Sequence, residues 1–137
     1  MRMTGILMLM AASAASMAAA PPPGPNWVRV GSHIDGSPVE VDTRSIRPWG
    51  GLVRGWWRIT LATPRPDGTV VEKHLDAVDC GRGLSTTLEQ VTQRPDGSLV
   101  DDARESQSAA ITRLGAATPG TTGEMAVRAI CRLRPQR

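Results

Sequence analysis

Few side chains in this sequence are equipped for catalysis. His33 and His74 are the only imidazoles in 137 residues. Ser32, His33 and Asp35 supply the residue types of a hydrolytic triad: a nucleophile, a base and a carboxylate to orient it. A triad needs its groups convergent, whereas neighbours along a strand or turn project in different directions. The spacing therefore reads as an ordinary turn. Asp76 and Asp79 are candidates for paired acid–base work, but Leu75 and Ala77 alternate with charged neighbours, which reads as the solvated face of a strand. A metal centre needs clustered ligands; there is no CxxC pair and no Cys/His cluster, so no metal is expected. Met125 is the one methionine beyond Met17 and reads as a packing residue. No cofactor is expected; a haem or small-ligand carrier using His33 or His74 stays open as an alternative.

The elements that must position these residues begin after an export signal. Arg2 is the only charge before Arg29, and Ile6 to Met10 open an apolar stretch that fades into alanine and serine. That layout is a cleavable leader. A membrane anchor would need about 20 strongly apolar residues, roughly twice what is present. Small residues precede two candidate cleavage bonds, and Pro21 after the second disfavours it, which places the leader at residues 1–18. No cysteine precedes Cys80, so lipidation in the manner of a bacterial lipoprotein is not expected. The protein is expected to be periplasmic or secreted and soluble.

The formal net charge of +3 drops by one with the leader. Nearly neutral charge without clustering argues against a nucleic-acid surface. With no Phe and no Tyr, Trp27, Trp49, Trp56 and Trp57 must supply the aromatic packing, and most of them are expected to be buried. Cys80 and Cys131 are expected to pair, because an exported chain matures in an oxidising space.

Residues 19–25 (AAPPPGP) form a proline-rich tether, and the folded domain is expected over residues 26–137. Period-two patterning marks strands at Trp27 to Val30 and Val39 to Val41, with a turn at Gly36 to Pro38. Leu52 to Leu61 is the strongest strand signal, and adjacent Trp56 and Trp57 must point to opposite faces. Arg-Pro-Asp-Gly occurs at Arg65 to Gly68 and again at Arg94 to Gly97. Proline, aspartate and glycine in that order make a reverse turn, here joining strands 60–64 to 69–79 and 84–93 to 98–103. Residues 104–117 read as loop or short helix. Thr121 and Glu124 have capping-box spacing, and Val127, Ile130 and Cys131 recur at helical spacing until Pro135.

The order of landmarks resembles the surface-adhesin protein E-like family of bacterial exported proteins. Those landmarks are Trp27, the run VDTRSIR ending at Arg47, Trp56 with Trp57, Asp79 with Cys80, and Pro-Gly-Thr-x-x-Glu leading from Pro119 to Cys131. The resemblance spans Asn26 to Arg132. It implies an antiparallel sheet fastened to a C-terminal helix by Cys80 and Cys131, and a non-enzymatic role, since the family takes its name from an adhesin of host matrix and serum proteins that has been associated with haem. The lipidated cysteine of that adhesin has no counterpart in this sequence.

The fold expected is α+β: an antiparallel sheet of five to six strands with a C-terminal helix disulfide-linked to it. Such a sheet leaves one face and its edges free. Arg29, Arg54, Arg58 and Arg82 fall in or beside the strands, and Arg next to exposed Trp is a composition favoured at protein interfaces. The expected function is an exported binding module with no catalytic residues that engages a protein partner, from the host or the bacterial envelope, through Arg54, Trp56, Trp57 and Arg58. The alternatives are a periplasmic housekeeping or inhibitor domain and the carrier named above. A free strand edge would also accept a second copy of the chain to give a homodimer.

Overall fold

Alternation and turn chemistry generate a single antiparallel sheet. The computed structural model describes residues 17–136, so the expected leader lies almost wholly outside the described residues. Six strands follow one another across the sheet: β1 (Trp27–Ser32), β2 (Pro38–Asp42), β4 (Leu52–Thr60), β5 (Val71–Asp79), β6 (Leu84–Gln93) and β7 (Leu99–Arg104). Two short strands lie off this path: β3 (Arg47–Trp49) pairs with β4, and β8 (Gly115–Ala116) pairs with β6. The segment 104–117 thus holds both a short helix, α1 (Gln107–Ile111), and the β8 bridge. A long C-terminal helix, α2 (Thr122–Leu133), follows.

The turns explain why the strands end where they do. At Arg65–Gly68 and Arg94–Gly97, the aspartate accepts the backbone N–H two residues on, at 2.8 Å for Thr69 and 2.9 Å for Ser98. Both glycines adopt positive φ, 87° and 82°. The same device appears a third time at His33 to Gly36, where Asp35 accepts the N–H of Ser37 at 2.9 Å and Ile34 stands in the proline position. The Asp-Gly pair with a donor behind it is the essential chemistry, and proline is an accessory.

Helix α2 is capped as its sequence requires. The Thr121 hydroxyl accepts the N–H of Glu124 at 3.2 Å. Glu124 reaches back one residue further than a standard box, accepting the N–H of Gly120 at 2.7 Å. The helix buries Ala126, Val127, Ala129 and Ile130 against Val39, Val41, Ile46, Trp57, Ile59 and Val78. Two glycines let it approach. A side chain at Gly55 would meet Ile130 at 3.3 Å, and one at Gly31 would overlap the Met125 sulfur. Gly31 also sits at a break in the β1–β2 register. Cys80 and Cys131 form the disulfide, Cα atoms 5.7 Å apart, and so tie the helix to the end of β5. Closing a loop of 51 residues removes denatured-state entropy worth about 4 kcal/mol.

The tryptophans depart from expectation. Only Trp57 is buried; Trp27, Trp49 and Trp56 are half-buried. Small aliphatic residues and the alanines of α2 fill most of the core instead, because strand register turns the other three rings to the face away from that helix.

Candidate functional site

Strand β4 divides its side chains between two faces. Gly55, Trp57 and Ile59 point inward, under α2 or into the core beside it. Leu52, Arg54, Trp56 and Arg58 point outward. Of the four expected contact residues, the outer face therefore holds Arg54, Trp56 and Arg58, each half-buried, while Trp57 is 5% exposed on the opposite side.

Around Trp56 the outer face forms a shallow cleft of about 360 Å³, whose lining includes Trp27, Lys73, Val91 and Leu99. Trp27 comes from β1 and carries the Arg58 guanidinium over its ring at 4.3 Å. Arg58 is held there by Glu40, 2.7 Å away on β2. The Trp56 backbone N–H donates to the Ser45 hydroxyl at 2.8 Å, which anchors the strand where β2 gives way to β3. Beside the cleft, bulged Leu88 joins Ala77 and Ala110 beneath α1, with Trp49, Leu52 and Leu75 packed around them. Trp27 and Lys73 went unnoticed as surface residues; the signal available was their period-two register, which the sheet pairing converts into proximity.

The other expected arginines lie elsewhere. Arg29 bonds Gly31 and Ser32 on β1, and Arg82 pairs with Asp79 at 2.7 Å in the β5–β6 turn.

The candidate catalytic groups do not converge. His33 Nδ1 lies 3.0 Å from Asp35 Oδ1, but the Ser32 hydroxyl is engaged by Arg29 at 2.5 Å. Asp35 is held down at about 2, first by the backbone N–H of Ser37, so it serves the turn. Asp76 and Asp79 separate to opposite faces. Asp79 belongs to the surface, whereas Asp76 is 4% exposed, which corrects the reading of that stretch as solvated. Its two oxygens accept from Trp57 Nε1 at 2.7 Å and Thr87 Oγ at 2.8 Å. Burial nevertheless raises its pKa to about 6. His74 stacks on Trp57 with ring centroids 4.2 Å apart, and burial lowers its pKa to about 4. A metal or haem iron at His74 would have to open that packing, and His33 lies apart from it in the β1–β2 turn. Among the described residues no group of three or more His, Cys, Asp or Glu side chains is arranged to hold a metal ion.

Residues 27–132 match the surface-adhesin protein E family. The chain belongs to that family. No curated protein and no solved structure is significantly similar to it. The match runs from the first residue of β1 to the last turn of α2, so the matched span holds the sheet, the helix and their disulfide. Membership points to adhesion-like binding, and the disulfide fits an exported protein. No described helix is long and apolar enough to cross a membrane.

Proposed function

We propose that this chain is an exported, non-enzymatic binding module that engages a protein partner through the outer face of its sheet. The observation that carries the proposal is the outward row Arg54, Trp56 and Arg58 on β4, joined by Trp27. α2 covers the inner face of β1, β2, β4 and β5, whereas this row lies open beside a cleft. A half-buried Trp offers large contact area with little conformational entropy to lose, Arg58 is already held by Glu40, and Trp and Arg are the residue types that dominate binding energy at interfaces. The leader and tether deliver the domain to the periplasm or beyond, where Cys80 and Cys131 oxidise.

The face is a better docking surface than the edges. At one edge β1 is irregular at Gly31, and at the other β7 carries Asp101, Asp102 and Arg104; both features oppose pairing with a further strand. A homodimer would accordingly form through the outer face before it formed through an edge.

The test is capture of envelope and host extracellular proteins by the purified mature domain, compared with Trp56→Ala and Arg58→Ala. Bands enriched by the native protein should disappear with either variant while each variant still unfolds cooperatively on heating. Retention of those bands by both variants would refute the proposal.

A further inference from the structure

The acids of the outer face are already engaged, and several of its cations are not. Glu40 holds Arg58, Glu89 and Asp102 hold Arg104, and Asp42 accepts the backbone N–H groups of Asn26 and Arg44. Among the described residues, Arg47, Arg54 and Lys73 have no carboxylate within salt-bridge distance. The sheet register sets them against like charge: Arg47 lies directly opposite Arg54, and Arg58 directly opposite Lys73. Like charges directly opposite each other destabilise a sheet. Lys73, the chain's only lysine, has its pKa lowered by burial and then by Arg58. Arg47 also lines a second cleft, of about 510 Å³, together with Arg134, and no acidic residue lines it.

Building on the outer-face reading, we propose that the partner presents an extended, carboxylate-bearing peptide segment to Arg47, Arg54, Arg58 and Lys73, with an apolar side chain between its acids resting on Trp56. Arg54, Trp56 and Arg58 recur every second residue, a step of about 7 Å along a strand. An extended peptide has the same step, so acids at positions i and i+4 flanking an apolar residue at i+2 match the row. Guanidinium groups suit carboxylates because both are planar and pair through two parallel hydrogen bonds. The repulsion carried by the free sheet is relieved when those carboxylates arrive.

The probe is a capped synthetic peptide repeating Glu-Ser-Phe-Ser-Glu, followed through the protein's tryptophan emission, to which phenylalanine is silent. The native protein should bind it saturably. A peptide with Gln for every Glu should fail, and raising salt from about 0.05 to about 0.5 M should weaken the complex. Arg54→Gln with Lys73→Gln should weaken binding roughly tenfold while raising the melting temperature, because cross-strand repulsion is gone. Arg54→Lys with Lys73→Arg keeps the charges while moving the paired guanidinium contact from one position to the other, and should weaken binding less than the glutamine double variant does. No binding, equal binding of the Gln peptide, or unchanged binding by the glutamine double variant would overturn the acidic assignment. So would capture of an anionic polysaccharide or a DNA oligonucleotide in place of the peptide. If partner capture still depends on Trp56 and Arg58 when the peptide fails, only this inference falls. If capture ignores them, the outer-face reading itself falls.

Discussion

Trp56 and Trp57 are neighbours in sequence, yet they belong to different parts of the molecule. Trp57 lies in the core, stacks on His74 and donates its indole N–H to Asp76. Trp56 lies in a cleft whose neighbours are charged or loosely packed. The two faces of one strand thus separate two tasks, the inner one holding the fold and the outer one remaining available. The difference teaches that residue type alone did not decide the role of either ring; register did, through the partner each meets across β5. Trp57 faces His74, while Trp56 faces Leu75.

The comparison breaks most visibly if both rings are truncated in turn. Trp57→Ala should cost about 3–5 kcal/mol, the usual range for a buried ring, and leave Asp76 short of a donor. Trp56→Ala should cost under about 1.5 kcal/mol, since the ring is only half-buried. Urea unfolding of the two variants gives both values, and equal losses would erase the distinction between the faces. Reduction of the Cys80–Cys131 bridge, or Cys80→Ser with Cys131→Ser, ranks next, with an expected loss of about 2–4 kcal/mol. Melting in the presence and absence of reductant measures it.

A pH series sharpens the account of the inner face. Asp76 has its pKa raised from 3.8 to about 6, so the cost of its ionisation is absent at low pH, grows as pH rises through that window and is complete above it. His74 has its pKa lowered from 6.5 to about 4; its neutral form favours folding fully above pH 6.5, and that advantage is lost as pH falls toward 4. The two trends oppose each other over most of the same range. Asp76→Asn keeps an acceptor for Trp57 and removes one trend, so stability should climb steadily between pH 4 and 6.5, by up to about 3 kcal/mol. Denaturant midpoints across that range check it. A profile as flat as the native one would mean that Asp76 is not strained by burial. The smallest effect expected is at Gly31, where Gly31→Ala must displace the flexible end of Met125 at a cost of about 1 kcal/mol, measured by the shift in melting temperature.

Much of this architecture was legible in the sequence. The two Arg-Pro-Asp-Gly turns, the Thr121 cap and the alternation from Leu52 to Leu61 each have a local cause, and each appears where that cause placed it, whereas the first hairpin turns at His33–Gly36 rather than Gly36–Pro38, with Pro38 already in β2. With only two cysteines in a chain read as exported, the disulfide was legible as well. What was not legible depends on contacts between strands. In β5, Leu75 and Ala77 look like the core face and Glu72, His74 and Asp76 like the solvated one, yet Glu72 and Asp76 are buried. A polar row can face inward when its partners satisfy it, and Trp57 and Thr87, which satisfy Asp76, lie on other strands. The same limit applied to the site. Period two separates Arg54, Trp56 and Arg58 from Trp57, but only pairing across the sheet brings Trp27 and Lys73 to their side. The bulge that directs Leu88 toward α1 likewise has no local signal.

The division of labour between the faces is tested most directly by site-specific photocrosslinking. A crosslinking side chain at Leu99 lies on the outer cleft, and one at Gln90 lies exposed on the inner side of β6, paired opposite His74. The account predicts that the Leu99 position captures the partner and that the Gln90 position does not. Capture from Gln90 alone would contradict it.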